Sequence, residues 1–208
     1  MAEVNVIYQK IILEFLFELY VFYALTTRKL NRAPRFWIRT LAGAGAVLAL
    51  AYGAAFFYRA VGGTALGRIT VYVFLFTAAT AHLRLCFDET FPTVLFCASV
   101  AYAAQNLCYK LYLILWCGGE ALRGYDGWGP RFDLYYHVLY YAFFALAAAA
   151  VYFLFIRGML RHMSGGRLDH HMLAIAILAL SITVILCSVE DIYFSHLLSL
   201  IHISEPTR

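Results

Sequence analysis

The stretch FPTVLFCASVAYAAQNLCYKLYLILWC, residues 91–117, is almost wholly apolar and contains no acid. A helix rises about 1.5 Å per residue and a bilayer core is about 30 Å thick, so about 20 such residues cross it. This run is long enough to span a membrane and too long for an ordinary strand. Outward from it, residues 6–25, 40–58, 69–87, 134–156 and 172–189 are apolar runs of comparable character. Composition agrees: 63% of the 208 residues are hydrophobic and 13% charged, against about 45–50% and about 25% in soluble domains. The fold class expected is all-α, a polytopic membrane helical bundle with six spans. Residues 1–197 form this transmembrane domain and leave little chain for a soluble one, so any chemistry sits in the spans or the short loops.

The loop TTRKLNRAPRFWIRT, residues 26–40, holds Arg28, Lys29, Arg32, Arg35 and Arg39 and no acid. By the positive-inside rule it is cytoplasmic. Alternating from there, Arg84, Arg157, Arg161 and Arg167 also fall inside, while Arg59, Arg68, Arg123 and Arg131 fall outside. The N-terminus is then external and the sixth span ends outside, near Glu190 and Asp191. Anything cytoplasmic beyond it needs a seventh span, which is missing here. No basic stretch precedes the first span and no small-residue cleavage site follows it, so it reads as a retained anchor rather than a signal peptide. The basic residues are spread over loops instead of gathered on one domain, which excludes a nucleic-acid surface. Cys86, Cys97, Cys108, Cys117 and Cys187 lie in or at the ends of apolar runs with no C-x-x-C pair, and read as small apolar residues.

Polar side chains inside the spans carry the functional interest. Lys10, Glu14 and Glu18 recur every four residues, along one face of an α-helix. Ionisable groups at membrane depth face the bundle interior and mark function, yet Lys10 and Glu14 also suit a local ion pair. Glu18 has no such neighbour, which makes it the stronger candidate. In residues 91–117, Gln105, Asn106 and Lys110 interrupt the apolar pattern; an amide pair knits helices together or holds a ligand, and Lys110 can snorkel to the outer interface. The ligand-binding or signalling candidates are therefore Glu14, Glu18, Gln105, Asn106 and Lys110. Gln105 shares a helix face with Cys97 and Cys108.

Gly45, Ala49 and Gly53 form a small-residue stripe of the kind that lets helices approach closely, and FFALAAAAVY, residues 143–152, offers a second thin surface. Asp88 or Thr90 is placed to cap the fourth span, with Pro92 in its first turn. The external loop CGGEALRGYDGWGPRFD, residues 117–133, mixes turn residues with both signs of charge and is where an outside ligand first meets the chain. In RGMLRHMSGGRLDHH, residues 157–171, His162, His170 and His171 lack the i, i+4 spacing of a helical metal pair, so the loop reads as a basic linker and no metal is expected. The chain has no phosphate-cradling glycine loop, nucleophile elbow or zinc-protease helix, and no catalytic residue is expected.

The stretch LRLCFDETFPTVLFCASVAYAAQNLCYKLY, residues 83–112, is a short inside loop leading into the polar fourth span. It resembles the membrane sensor region of GHKL-type sensor histidine kinases, the bacterial kinases related to accessory-gene-regulator peptide-pheromone receptors. The likeness extends over most of the chain in span order and loop charge, and residues 86–112 come nearest to a motif. It implies a multi-pass homodimer in the bacterial plasma membrane that detects an external peptide or small molecule, as in quorum sensing. It further implies that a last span relays the signal to a cytoplasmic phospho-accepting histidine and an ATP-binding domain. ATP and the response regulator belong to that missing part, and this fragment itself implies no cofactor. The tail LSLIHISEPTR, residues 198–208, resembles at every position one reading frame of a transposase-based sequencing adapter, which sets it outside the fold as an artefact.

Two other readings fit the same chain. One is a small transporter membrane subunit, such as the substrate-binding component of an energy-coupling vitamin importer, also of about six spans. The other is a signal-maturing membrane peptidase, for which His82 and Cys86 in AHLRLC, spaced i, i+4, are the nearest pair.

Overall fold

A computed structural model describes residues 2–62, 64–123, 131–162 and 181. Among these residues all regular structure is helical, apart from one isolated antiparallel bridge between Arg32 and Phe87. The first expected span lies on α1 (Ala2–Lys10), a π-helical segment (Ile11–Leu16) and α2 (Phe17–Thr26). Backbone angles stay right-handed helical across both junctions, so the three pieces form one rod with a widened turn. After it come α3 (Phe36–Ala60), α4 (Ala65–Cys86), α5 (Phe91–Arg123) and α6 (Arg131–Val151). A second π-helical segment (Tyr152–Ile156) then leads into α7 (Arg157–His162).

Four helices are long and apolar enough to cross a membrane: Phe36–Ala60, Leu66–Cys86, Phe91–Tyr112 and Val138–Ile156. The chain is a helical membrane protein. The expected count of six is not reached among the described residues, for two reasons. The π segment divides the first expected span into α-helical pieces of 9 and 10 residues, and residues 172–189 lie outside the described residues except for Ser181. Residues 124–130, 163–171 and 198–208 lie outside them too, so the expectations for those loops and the tail fall there.

The core gathers where the first span meets α4 and α5. Leu19, Phe22, Leu75, Ala79, Val94, Cys97, Ala98 and Ala101 are wholly enclosed. On α5 the buried file of Cys97, Ala101, Ala104, Cys108 and Tyr112 follows helical spacing, and its small members admit the bulky Phe15, Leu19 and Phe22 of the first span. On α3 the buried file is Val47, Ala51, Ala54 and Ala55. Thr64 opens α4 as a side-chain cap, accepting from the Gly67 amide at 3.2 Å. At the start of α5 the Thr90 carbonyl accepts from the Val94 amide, while its hydroxyl pairs with that of Thr93 at 2.9 Å.

The small-residue stripe on α3 is not where the described helices meet. A Cβ built on Gly45 or Gly53 would find nothing within 4 Å. Gly43 is the close approach instead, where a Cβ would stand 2.1 Å from Cδ2 of His82 on α4. The expected close packing through Gly45 and Gly53 is not found among the described residues: the apolar surface of α3 is continuous around the helix, and pattern alone does not say which side faces protein.

The basic loop after α2 ties one end of the bundle together. Ala33 donates its amide to Cys86 and Asp88 donates to Asn31, on either side of the Arg32–Phe87 bridge. Asn31 donates both backbone and side-chain N–H to Glu89 Oε1, at 3.2 and 2.9 Å. Arg39 donates to the Leu85 carbonyl at 2.9 Å and Lys29 to the Leu160 carbonyl at 2.6 Å. Those carbonyls belong to the last turns of α4 and α7, which lack intrahelical partners and carry the negative end of the helix dipole. A loop rich in cations and free of acids suits that position.

Candidate functional site

Glu18, Gln105 and Tyr140 come from three different spans and meet in the interior. Glu18 is fully buried, Gln105 is 5% exposed and Tyr140 3% exposed. The Tyr140 hydroxyl donates to Glu18 Oε1. The Gln105 amide nitrogen lies 3.5 Å from Glu18 Oε2, 3.2 Å from the Phe15 carbonyl and 3.4 Å from the Glu14 carbonyl. The last two contacts depend on the π segment. Its wide turn closes i to i+5, as the Phe17 amide does on Ile12, and leaves carbonyls short of amide partners where it gives way to α2. Gln105 supplies a donor there.

A polar group left unsatisfied in hydrocarbon costs several kcal/mol, so the three side chains and the π segment depend on one another. Whatever competes for the Glu18 carboxyl displaces Tyr140 from it and takes one of the three contacts of Gln105. The Gln105 oxygen is buried and has no hydrogen-bond partner among the described residues, which leaves one acceptor in the node open to a donor from a ligand. Tyr112 packs its ring edge-on to Tyr140, with centroids 4.7 Å apart, and closes one side.

A second buried polar group lies nearer the clasped end. The Tyr20 hydroxyl is 2.7 Å from Nδ1 of His82, and the Tyr23 hydroxyl is 3.3 Å from that of Thr80. The His82 ring fills the notch at Gly43, and its Nε2 is buried without a hydrogen-bond partner among the described residues. Cys86 lies 3.5 Å from the Thr40 hydroxyl. No hydrogen bond between His82 and Cys86 occurs among the described residues, because His82 turns its Nδ1 to the first span.

The five sequence candidates part company in space. Glu18 and Gln105 share the node, and Glu14 reaches it through its backbone carbonyl. Asn106 donates back to Tyr102 in its own helix at 2.9 Å, and the Lys110 ammonium sits 5.8 Å over the ring of Tyr109. Among the described residues no Lys10–Glu14 ion pair is found. The chain between the two residues enters a π-helical turn at Ile11. The ion pair found among the described residues joins Glu3 to Arg59 at 3.3 Å, on the surface.

No family model, curated protein or solved structure matches the chain. Tyr140 is the member that sequence reasoning missed. Its signal is the general need of a buried phenol for a partner, which does not separate it from Tyr135, Tyr136 or Tyr141 in the same run. No group of three His, Cys, Asp or Glu side chains suited to a metal gathers among the described residues.

The link between Gln105 and the π segment gives a direct expectation. Gln105→Leu removes the donor that serves Phe15 and Glu14, so amide hydrogen exchange across Ile11–Leu16 should rise by roughly tenfold, the equivalent of about 1.4 kcal/mol of local opening. Exchange within α3 should stay as it is, and equal acceleration in both places would show general loosening instead of a specific latch.

Proposed function

We propose that the chain is the signal-sensing membrane region of a bacterial sensor histidine kinase of the GHKL type. An external peptide or small molecule binds two arrangements of the bundle unequally and shifts their balance. The observation that carries this reading is the node of Glu18, Gln105 and Tyr140 on a π-helical first span. It is a buried polar junction of three spans, whose partners are exchangeable and whose widened turn offers an alternative register. In this reading the N-terminus is external and the basic loop cytoplasmic. The protein works as a homodimer in the plasma membrane, and ATP and the response regulator engage a kinase domain encoded downstream.

Two experiments test it. An independent assembly of the DNA beyond codon 197 should encode a further span, a phospho-acceptor histidine and ATP-binding motifs; a stop codon soon after would sink the kinase reading. In the complete receptor, Glu18→Ala and Gln105→Ala should each displace the ligand dose-response by about tenfold, since loss of one node contact is worth about 1–2 kcal/mol. Unchanged curves for both variants would reduce the node to packing.

A further inference from the structure

Between the first and fifth spans lies an apolar groove of about 700 Å³. Leu13, Phe17 and Leu25 wall one side, and Ala145, Ala149 and Tyr152 the other. Leu13 to Leu25 covers about 18 Å of helix at 1.5 Å per residue, close to the depth of one leaflet of a hydrocarbon core about 30 Å thick. The walls are nearly free of polar atoms along that length, so the groove suits a hydrocarbon chain.

Its basic end is different. Tyr152 and Phe153 line the groove there, and each carries a guanidinium on its ring. Arg28 stands 5.8 Å over Tyr152 and donates to its hydroxyl at 3.1 Å, and Arg157 stands 6.0 Å over Phe153. Both arginines are exposed, and neither belongs to the ion pair found among the described residues. Two stacked guanidiniums at the mouth of an apolar groove match a phosphate on an acyl chain, because the planar fork of arginine binds phosphate oxygens in pairs.

We propose that the groove binds one anionic phospholipid, with an acyl chain along Leu13 to Leu25 and the phosphate between Arg28 and Arg157. A second copy of the chain is the weaker occupant. A two-fold pairing through this groove would bring the same cations of both copies to the same end, and like charges there oppose association.

The test uses the full 208-residue chain released from vesicles of equal phosphatidylglycerol and phosphatidylcholine into native mass spectrometry. One phosphatidylglycerol should be retained per chain in preference to phosphatidylcholine. Arg28→Ala with Arg157→Ala should erase roughly 25-fold of that preference, at about fivefold per surface arginine. Ala149→Phe, which puts a ring into the groove, should abolish retention of either lipid, whereas Ala150→Phe, beside the groove, should leave it intact. Should Ala149→Phe fail to fold, Ala145→Phe blocks the same space. Equal retention of the two lipids by the unaltered chain overturns the proposal. So does undiminished retention in the filled variant, or a lipid-free two-chain species that Ala149→Phe disperses, which would assign the groove to a second copy.

Discussion

Glu18→Leu should lower the stability of the bundle by about 2–3 kcal/mol, because it removes a buried carboxylate that accepts from both Tyr140 and Gln105. Tyr140 loses the carboxylate oxygen it donates to, whereas Gln105 keeps the Phe15 and Glu14 carbonyls. The pairwise share is separable. Tyr140→Phe made in the Glu18→Leu background should cost little, and the cycle should return a coupling of about 1–2 kcal/mol, above the average of about 0.6 measured for polar pairs in membranes. Glu18→Gln should fall between, since its amide oxygen still accepts from Tyr140 while its NH2 faces that of Gln105. Reversible unfolding in mixed detergent micelles measures the parent chain and all four variants, and a coupling near zero would show that the contact does not hold the spans together.

The second large effect is steric. Gly43→Ala should destabilise by about 1–3 kcal/mol, the usual cost of forcing an extra methyl into a filled space, because its Cβ would overlap the His82 ring. The ring can yield only by leaving Tyr20, to which Nδ1 is bonded at 2.7 Å. Adding His82→Ala to Gly43→Ala should therefore recover most of the loss, while Gly45→Ala and Gly53→Ala, with open space at the new methyl, should be neutral or stabilising by up to about 1 kcal/mol. The same unfolding assay decides it. A Gly43 variant as stable as the Gly45 variant would mean that α3 and α4 are not held at this notch.

These two sites show what the sequence could and could not reveal. Length and apolarity made the helices legible, since a bilayer sets their size whatever their neighbours are. Glu18 was legible as well, because a carboxyl in an apolar run must find a partner inside. Its partner was not: Tyr140 lies 122 residues away and His82 lies 62 from Tyr20, and no spacing rule reaches across spans. The π-helical turn between Lys10 and Glu14 was not legible either, because residue counting presumes 3.6 residues per turn. The packing face of α3 was hard to read for a property of the solvent. Lipid is as apolar as a protein interior, so the outward face of α3 carries no polar mark to distinguish it from the inward one.

The widened turn in the first span also has a bearing on descent. It behaves as the trace of a single-codon insertion: removal of any one residue from Ile11–Leu16 would let an ordinary α-helix run through, but would turn everything before it by about 100°. Val4, now buried, would swing out of the core, and Glu3 would part from Arg59. Chain length in this segment, and not only side-chain identity, keeps the first ten residues in register with the rest of the molecule. Sequences descended from a common ancestor with this one should therefore tolerate many replacements here and very few gaps.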